Sequence, residues 1–140
     1  MINVSVTAFG VTGVKADLLK AGKIPAEVRK EMVRAKAEVF EKTLIFHAAT
    51  MLQGPYYAGG VATSPKTRNV RATATGATAN VKFEGTQHGN RIAEIAFINE
   101  YGKKSQPARP FISKSIKDAT SAATAAEDAV LDQWLKENNL

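Results

Sequence analysis

The chain contains no cysteine. That excludes disulfides, thiolate metal sites and cysteine nucleophiles, and it suits folding in a reducing cytosol. Histidine is nearly as scarce. His47 and His88 are the only two, and neither has a second histidine at ligand spacing, so no metal site is expected. His47 reads as a helix-face residue and His88 as an exposed turn residue. Neither lies near a nucleophile-elbow pattern. The segment GTQHGN (85–90) lacks the lysine and the strand–loop–helix context of a phosphate loop. No apolar stretch approaches the roughly 20 residues that span a bilayer. The first ten residues, MINVSVTAFG, have no basic region ahead of an apolar core, so no signal peptide is read there. These absences leave no catalytic constellation, no cofactor and no membrane partner to expect.

Charge is present and uneven. The formal net charge is +6, and most of the excess lies in residues 51–111, with eight Lys/Arg against three acids. Basic surface can serve nucleic acid or any acidic partner. Lys66, Arg68, Arg71, Lys82, Arg91, Lys103, Lys104 and Arg109 are the candidates for a patch. No helix combines a dense basic face with base-reading side chains, and the strand aromatics do not match a stacking platform. Contact with a DNA backbone is therefore open, while sequence-specific reading is not expected.

Hydrophobic periodicity predicts an α+β fold in a single domain over 1–140. Ile2, Val4 and Val6 alternate with polar residues as in a one-sided strand, and VKADLLKAG (14–22) reads as a short helix. From Pro25 to about Leu52, two apolar rows mark a long helix: Val28, Met32, Ala35, Val39 and Phe46, beside Val33, Ala37, Phe40, Leu44 and Ala48. Residues 53–69, rich in proline and glycine, read as a long flexible loop. Three strands in an antiparallel β-meander are expected next: 70–75, 77–84 and then RIAEIAFIN (91–99), which is apolar on both faces apart from Glu94. On such a strand Glu94 and Glu100 would stand about 20 Å apart, too far for a paired-carboxylate mechanism. A C-terminal helix follows, with Ile112, Ile116, Ala119, Ala123, Ala126, Val130 and Trp134 on one stripe.

Between the predicted meander and that last helix lies NEYGKKSQPARPFI (99–112). Gly102 permits a sharp reversal, and Pro107 and Pro110 fix φ on either side of Ala108-Arg109. The arginine is thus presented at low entropic cost, and Phe111 and Ile112 enter the core as the helix begins. A guanidinium takes a carboxylate in bidentate fashion. Glu100 in the same chain and an acid on another subunit are both open as partners, as is a purely internal staple.

Glu100-Tyr101-Gly102 followed by Ala108-Arg109-Pro110-Phe111 resembles the tail-component family of tailed bacteriophages, the small head–tail joining or tail-completion proteins of long-tailed phages. The likeness is sharpest over Ile92–Ile116. The chain departs from the family in carrying Lys103 where threonine commonly follows the glycine, and in its 53–69 loop. The resemblance implies a structural protein of the virion neck, assembled in the bacterial cytoplasm. It would form a homo-oligomeric ring, hexameric or dodecameric, beside portal-side and tail-tube proteins, with DNA passing through or touching it loosely. In that setting the 53–69 loop, with Tyr56, Tyr57, Lys66 and Arg68, is expected to act as an assembly arm. The alternative is a basic DNA-binding module of prophage origin.

Overall fold

The computed structural model of the chain describes residues 3–7, 24–52, 60–74 and 76–138, the first of these by backbone alone. The predicted helix at 14–22 and the pair Tyr56 and Tyr57 lie outside the described residues. The fold is α+β. Strand β1 (Asn3–Thr7) is followed by helix α1 (Ala26–Met51), a single turn α2 (Gly60–Thr63), and strands β2 (Pro65–Ala72) and β3 (Ala77–Phe83). A two-residue hairpin, β4 (Thr86–Gln87) and β5 (Asn90–Arg91), leads into α3 (Ile92–Tyr101) and α4 (Phe111–Glu137).

Helix α1 forms where the two apolar rows predict it. Met32, Val33, Ala37, Phe40, Leu44 and Ala48 are buried. Val28, Ala35 and Val39 are half-buried, and Phe46 is exposed. One side of α1 meets the sheet and another meets α4, which runs antiparallel to it. The order of contacts shows this: Lys36 meets Glu127, Thr43 meets Ser115, and Met51 meets Arg109. The histidine on this face, His47, is buried, and its Nε2 lies 3.1 Å from an Asp118 carboxylate oxygen. The Asp118 carboxyl is held below its ordinary range, first by its hydrogen bond with Lys114 and also by His47. His88, by contrast, sits exposed in the β4–β5 turn with φ 51°, beside Gly89 at φ 81°. Two successive positive φ values are the mark of a tight hairpin turn.

The sheet differs from a simple meander. Its order is β1-β3-β2, all antiparallel, so β3 is central and the N-terminal strand supplies the third position. Ala77, Ala79, Val81 and Phe83 of β3 alternate into the core. Residues 92–101, expected as a strand, are helical. The buried positions Ile92, Ala93, Ala96, Asn99 and Glu100 follow a 3.6-residue period. Two of the five are polar, which hides the stripe from an apolar count. Glu94 and Glu100 therefore lie on a helix and not along a strand, with Glu94 exposed and Glu100 buried.

The long-loop reading is corrected over 60–69. Val61, Ala62, Ser64 and Pro65 are buried, and Lys66 and Arg68 belong to β2. Between Arg68 and Arg71 the strand bulges, with Asn69 at φ 58°. The extra residue returns Arg71 to the face that carries Lys66 and Arg68.

Arg29 ties the start of α1 to the β2–β3 turn. Its guanidinium donates to the carbonyls of Gly76 (3.0 Å), Thr73 (3.0 Å) and Ile24 (2.5 Å).

A buried ion pair joins the two long helices. Glu127, fully buried on α4, lies 3.0 Å through Oε2 from Nζ of Lys36 on α1. Its Oε1 meets no donor among the described residues. Burial raises the Glu127 carboxyl above its ordinary range, and Lys36 opposes that rise. The folded protein therefore holds this proton more tightly than the unfolded chain does. The group's contribution to stability is full below the unfolded pKa and declines as pH rises through the folded value.

Lys36→Met strands a buried carboxylate and should cost about 3–5 kcal/mol in urea unfolding at neutral pH, whereas Lys36→Met/Glu127→Met should be neutral or stabilising. Glu127→Gln should remove the fall in urea midpoint that wild type shows as pH rises above the carboxylate range. A single Lys36→Met variant as stable as the double variant would refute the burial argument.

Candidate assembly site

Asn99 to Phe111 is a clasp between the end of α3 and the start of α4. The first N–H groups of any helix lack intrahelical acceptors. At α4 the missing acceptor comes from the preceding helix. The Glu100 carboxylate accepts from the backbone N–H of Ile112 (2.7 Å) and of Ser113 (3.1 Å), and also from the Ser113 hydroxyl. Negative charge at a helix N-terminus is favoured by the helix dipole as well as by the hydrogen bonds. Glu100 is itself buried, and its bond to Ile112 is made away from water, while Ser113 stands at the surface.

The backbone between the two helices is closely determined. Gly102 ends α3 at φ 77°, ψ 177°, a region that only glycine enters without strain. A Cβ there would lie 2.8 Å from the Ala108 backbone nitrogen and 3.0 Å from the Gln106 carbonyl oxygen. Lys103 and Gln106 close the small turn with backbone bonds of 2.9 and 3.0 Å. Pro110 has φ −75° and ψ 66°, the inverse γ-turn, and the Phe111 N–H donates to the Arg109 carbonyl at 2.7 Å. Phe111 then drops fully into the core, edge to face with Phe83 at a centroid distance of 5.8 Å. Ala108 remains exposed, its backbone tucked against Gly102.

Arg109 is held as the flanking prolines predict, though Glu100 is not its partner. Its Nη2 donates to Asn99 Oδ1 at 2.8 Å, its Nη1 reaches the Met51 carbonyl at 3.5 Å, and its backbone N–H donates to the Asn99 carbonyl at 2.6 Å. The Glu100 carboxylate is committed to the helix start, and the amide one residue earlier receives the arginine. Asn99 also accepts from Gln106 Nε2 (3.1 Å) and donates to the Ile95 carbonyl (2.9 Å), so both ends of its side chain are used. Asn99 escapes sequence reading because an amide inside an apolar run carries no charge signal. Its only sign is its place on the helical stripe beside Glu100.

The large aromatic side chain of the motif that stays outside is Tyr101. It is 64% exposed and lies 4.8 Å, centroid to centroid, from Phe97, which is 50% exposed. Lys66 and Arg68 stand on β2, opposite Lys82 and Asn80 of β3. No protein-family model, curated protein or solved structure matches the chain.

Glu100→Ala leaves two amides at the helix start without their acceptor and should cost about 2–3 kcal/mol in chemical unfolding. Gly102→Ala should cost at least as much, about 3 kcal/mol, because strain and a backbone clash combine. Arg109→Ala should cost about 1–2 kcal/mol. If Glu100→Ala unfolds at the wild-type midpoint, the clasp carries no stability.

Proposed function

We propose that the chain is a structural virion protein of a long-tailed phage, a head–tail connector or tail-completion protein that closes into a ring at the neck. The reading rests on the Glu100-Tyr101-Gly102 and Ala108-Arg109-Pro110-Phe111 resemblance. One observation carries it further. The paired Phe97 and Tyr101 rings are exposed on a short helix whose C-terminus is fixed by Glu100, Gly102 and the Arg109–Asn99 bonds.

Exposed aromatic side chains held at low entropic cost are favoured anchors for protein–protein contact. Tyr101 is not needed by the fold of its own subunit, whereas its motif neighbours Glu100 and Gly102 are. A ring subunit needs such a patch on one flank to meet a different surface of the next copy, so that rotation closes the assembly. In this account the clasp is a rigid mount and the aromatic pair is the contact. His47 and Asp118 pair across the packing of α1 on α4.

Phe97→Ser/Tyr101→Ser should keep the wild-type melting transition within about 1 kcal/mol, as surface changes do. It should abolish ring formation seen by light scattering and negative-stain imaging, and with it head–tail joining in a complementation assay. Rings and joining at the wild-type level in that variant would overturn the proposal.

A further inference from the structure

The outer face of the sheet is built differently from the aromatic patch. Cross-strand register places Lys66 opposite Lys82, Arg68 opposite Asn80, and Arg71 opposite Thr78. Partners in register share a face, so six neighbouring positions on β2 and β3 carry four cations and two short polar side chains. Lys66, Arg68 and Arg71 are exposed. The opposite face of β3 is the buried one, and α1 covers it.

Two features indicate that this face is not merely solvated. Lys66 and Lys82 stand directly across from each other, an arrangement that costs stability in an antiparallel pair. The β2 bulge also restores Arg71 to the cationic side, where an unbroken strand would turn it inward. Among the described residues, Glu84 is the acid that pairs with a cation on this face, and Glu41 adds a weaker attraction on Arg68. Glu84 takes Arg68 in a bidentate pair at 2.8 and 3.0 Å, and its carboxyl is held below the ordinary range first by Arg68 and also by Lys82 and Lys66. Glu41, on α1, contacts β2 from the buried side through Thr67. Among the described residues Lys66, Arg71 and Lys82 make no ion pair, so this face keeps an excess of positive charge.

We infer that this sheet face binds the phosphate backbone of a nucleic acid. The composition selects that partner over an acidic protein. Protein interfaces are depleted in lysine and enriched in aromatic residues, and among the described residues this face has lysines with threonine and asparagine and no aromatic side chain. The same composition offers neither stacking nor a base-reading helix, so the contact is to phosphate and independent of sequence. The inference stands apart from the ring reading, because it uses the sheet and not the clasp or the Phe97–Tyr101 pair.

The test is fluorescence anisotropy of the full chain with a short labelled DNA duplex of mixed sequence, over a series of salt concentrations. The variant Lys66→Gln/Arg71→Gln/Lys82→Gln leaves the Arg68–Glu84 pair intact. Its slope of log affinity against log salt should be shallower than wild type by about 0.9 for each lost phosphate contact, nearly 3 in all. Its melting temperature should be equal to or above wild type, since the Lys66–Lys82 repulsion is gone. Lys103→Gln/Lys104→Gln, on the turn after α3, should keep the wild-type slope. The inference is overturned by wild type failing to bind at low salt, by an unchanged slope in the triple variant, by an equal loss in the Lys103/Lys104 control, or by polyglutamate competing as well as unlabelled DNA. Each of these readouts is independent of whether rings form.

Discussion

The Glu100 carboxylate is the group on which the C-terminal half of the molecule depends. It closes α3 and opens α4 with one buried side chain, and it does so by accepting from two backbone amides that have no acceptor within their own helix. From that point α4 is aimed back along α1. Phe111 is delivered to Phe83 at the end of the central strand, and the long antiparallel contact between α1 and α4 follows. The Arg109–Asn99 bonds and the glycine-only conformation at Gly102 keep the chain between the helices from relaxing into another path. A carboxylate in water would gain little from such an arrangement. Burial makes the bond to Ile112 count most, because leaving it unmade strands a desolvated donor.

Much of this was legible in the residues. The long helix declares itself through two apolar rows, and β3 through strict alternation, since both elements bury one face and expose the other. The prolines around Arg109 correctly indicate a fixed arginine. Three readings fail for identifiable reasons. The segment 92–101 reads as a central strand because its buried stripe ends in Asn99 and Glu100, and polar residues do not register in a hydrophobic pattern. For Arg109 the residues leave Glu100, an acid on another subunit and an internal staple all open; the Glu100 carboxylate goes instead to the open start of a helix, and charge complementarity alone does not rank the two demands. Residues 60–69 read as loop because Gly60, Pro65 and the bulge at Asn69 interrupt any period, while Val61 and Ala62 enter the core nonetheless. On α4 the stripe is displaced by one residue at three positions, where Ser115, Glu127 and Leu131 are buried in place of Ile116, Ala126 and Val130, and Glu127 is acceptable there because Lys36 faces it.

The surface separates into two regions of different chemistry. On α3, aromatic rings project from a rigid mount. On the sheet, cations crowd one face at some cost to the strand pairing beneath them. A ring-forming protein around a passage for DNA would need both kinds of surface, one apolar and specific toward its own copies, the other cationic and indifferent to sequence. The two are built on separate elements, so each can be altered without the other.

Native-state hydrogen exchange tests the clasp most directly. Amides in the first turn of a helix ordinarily exchange fast, because no carbonyl precedes them to accept their protons. The account predicts that the Ile112 and Ser113 amides exchange as slowly as those of Leu44 and Ala48 in the middle of the core, through openings that approach global unfolding. Exchange of Ile112 and Ser113 at the rate of a frayed helix start, with Leu44 still protected, would contradict it.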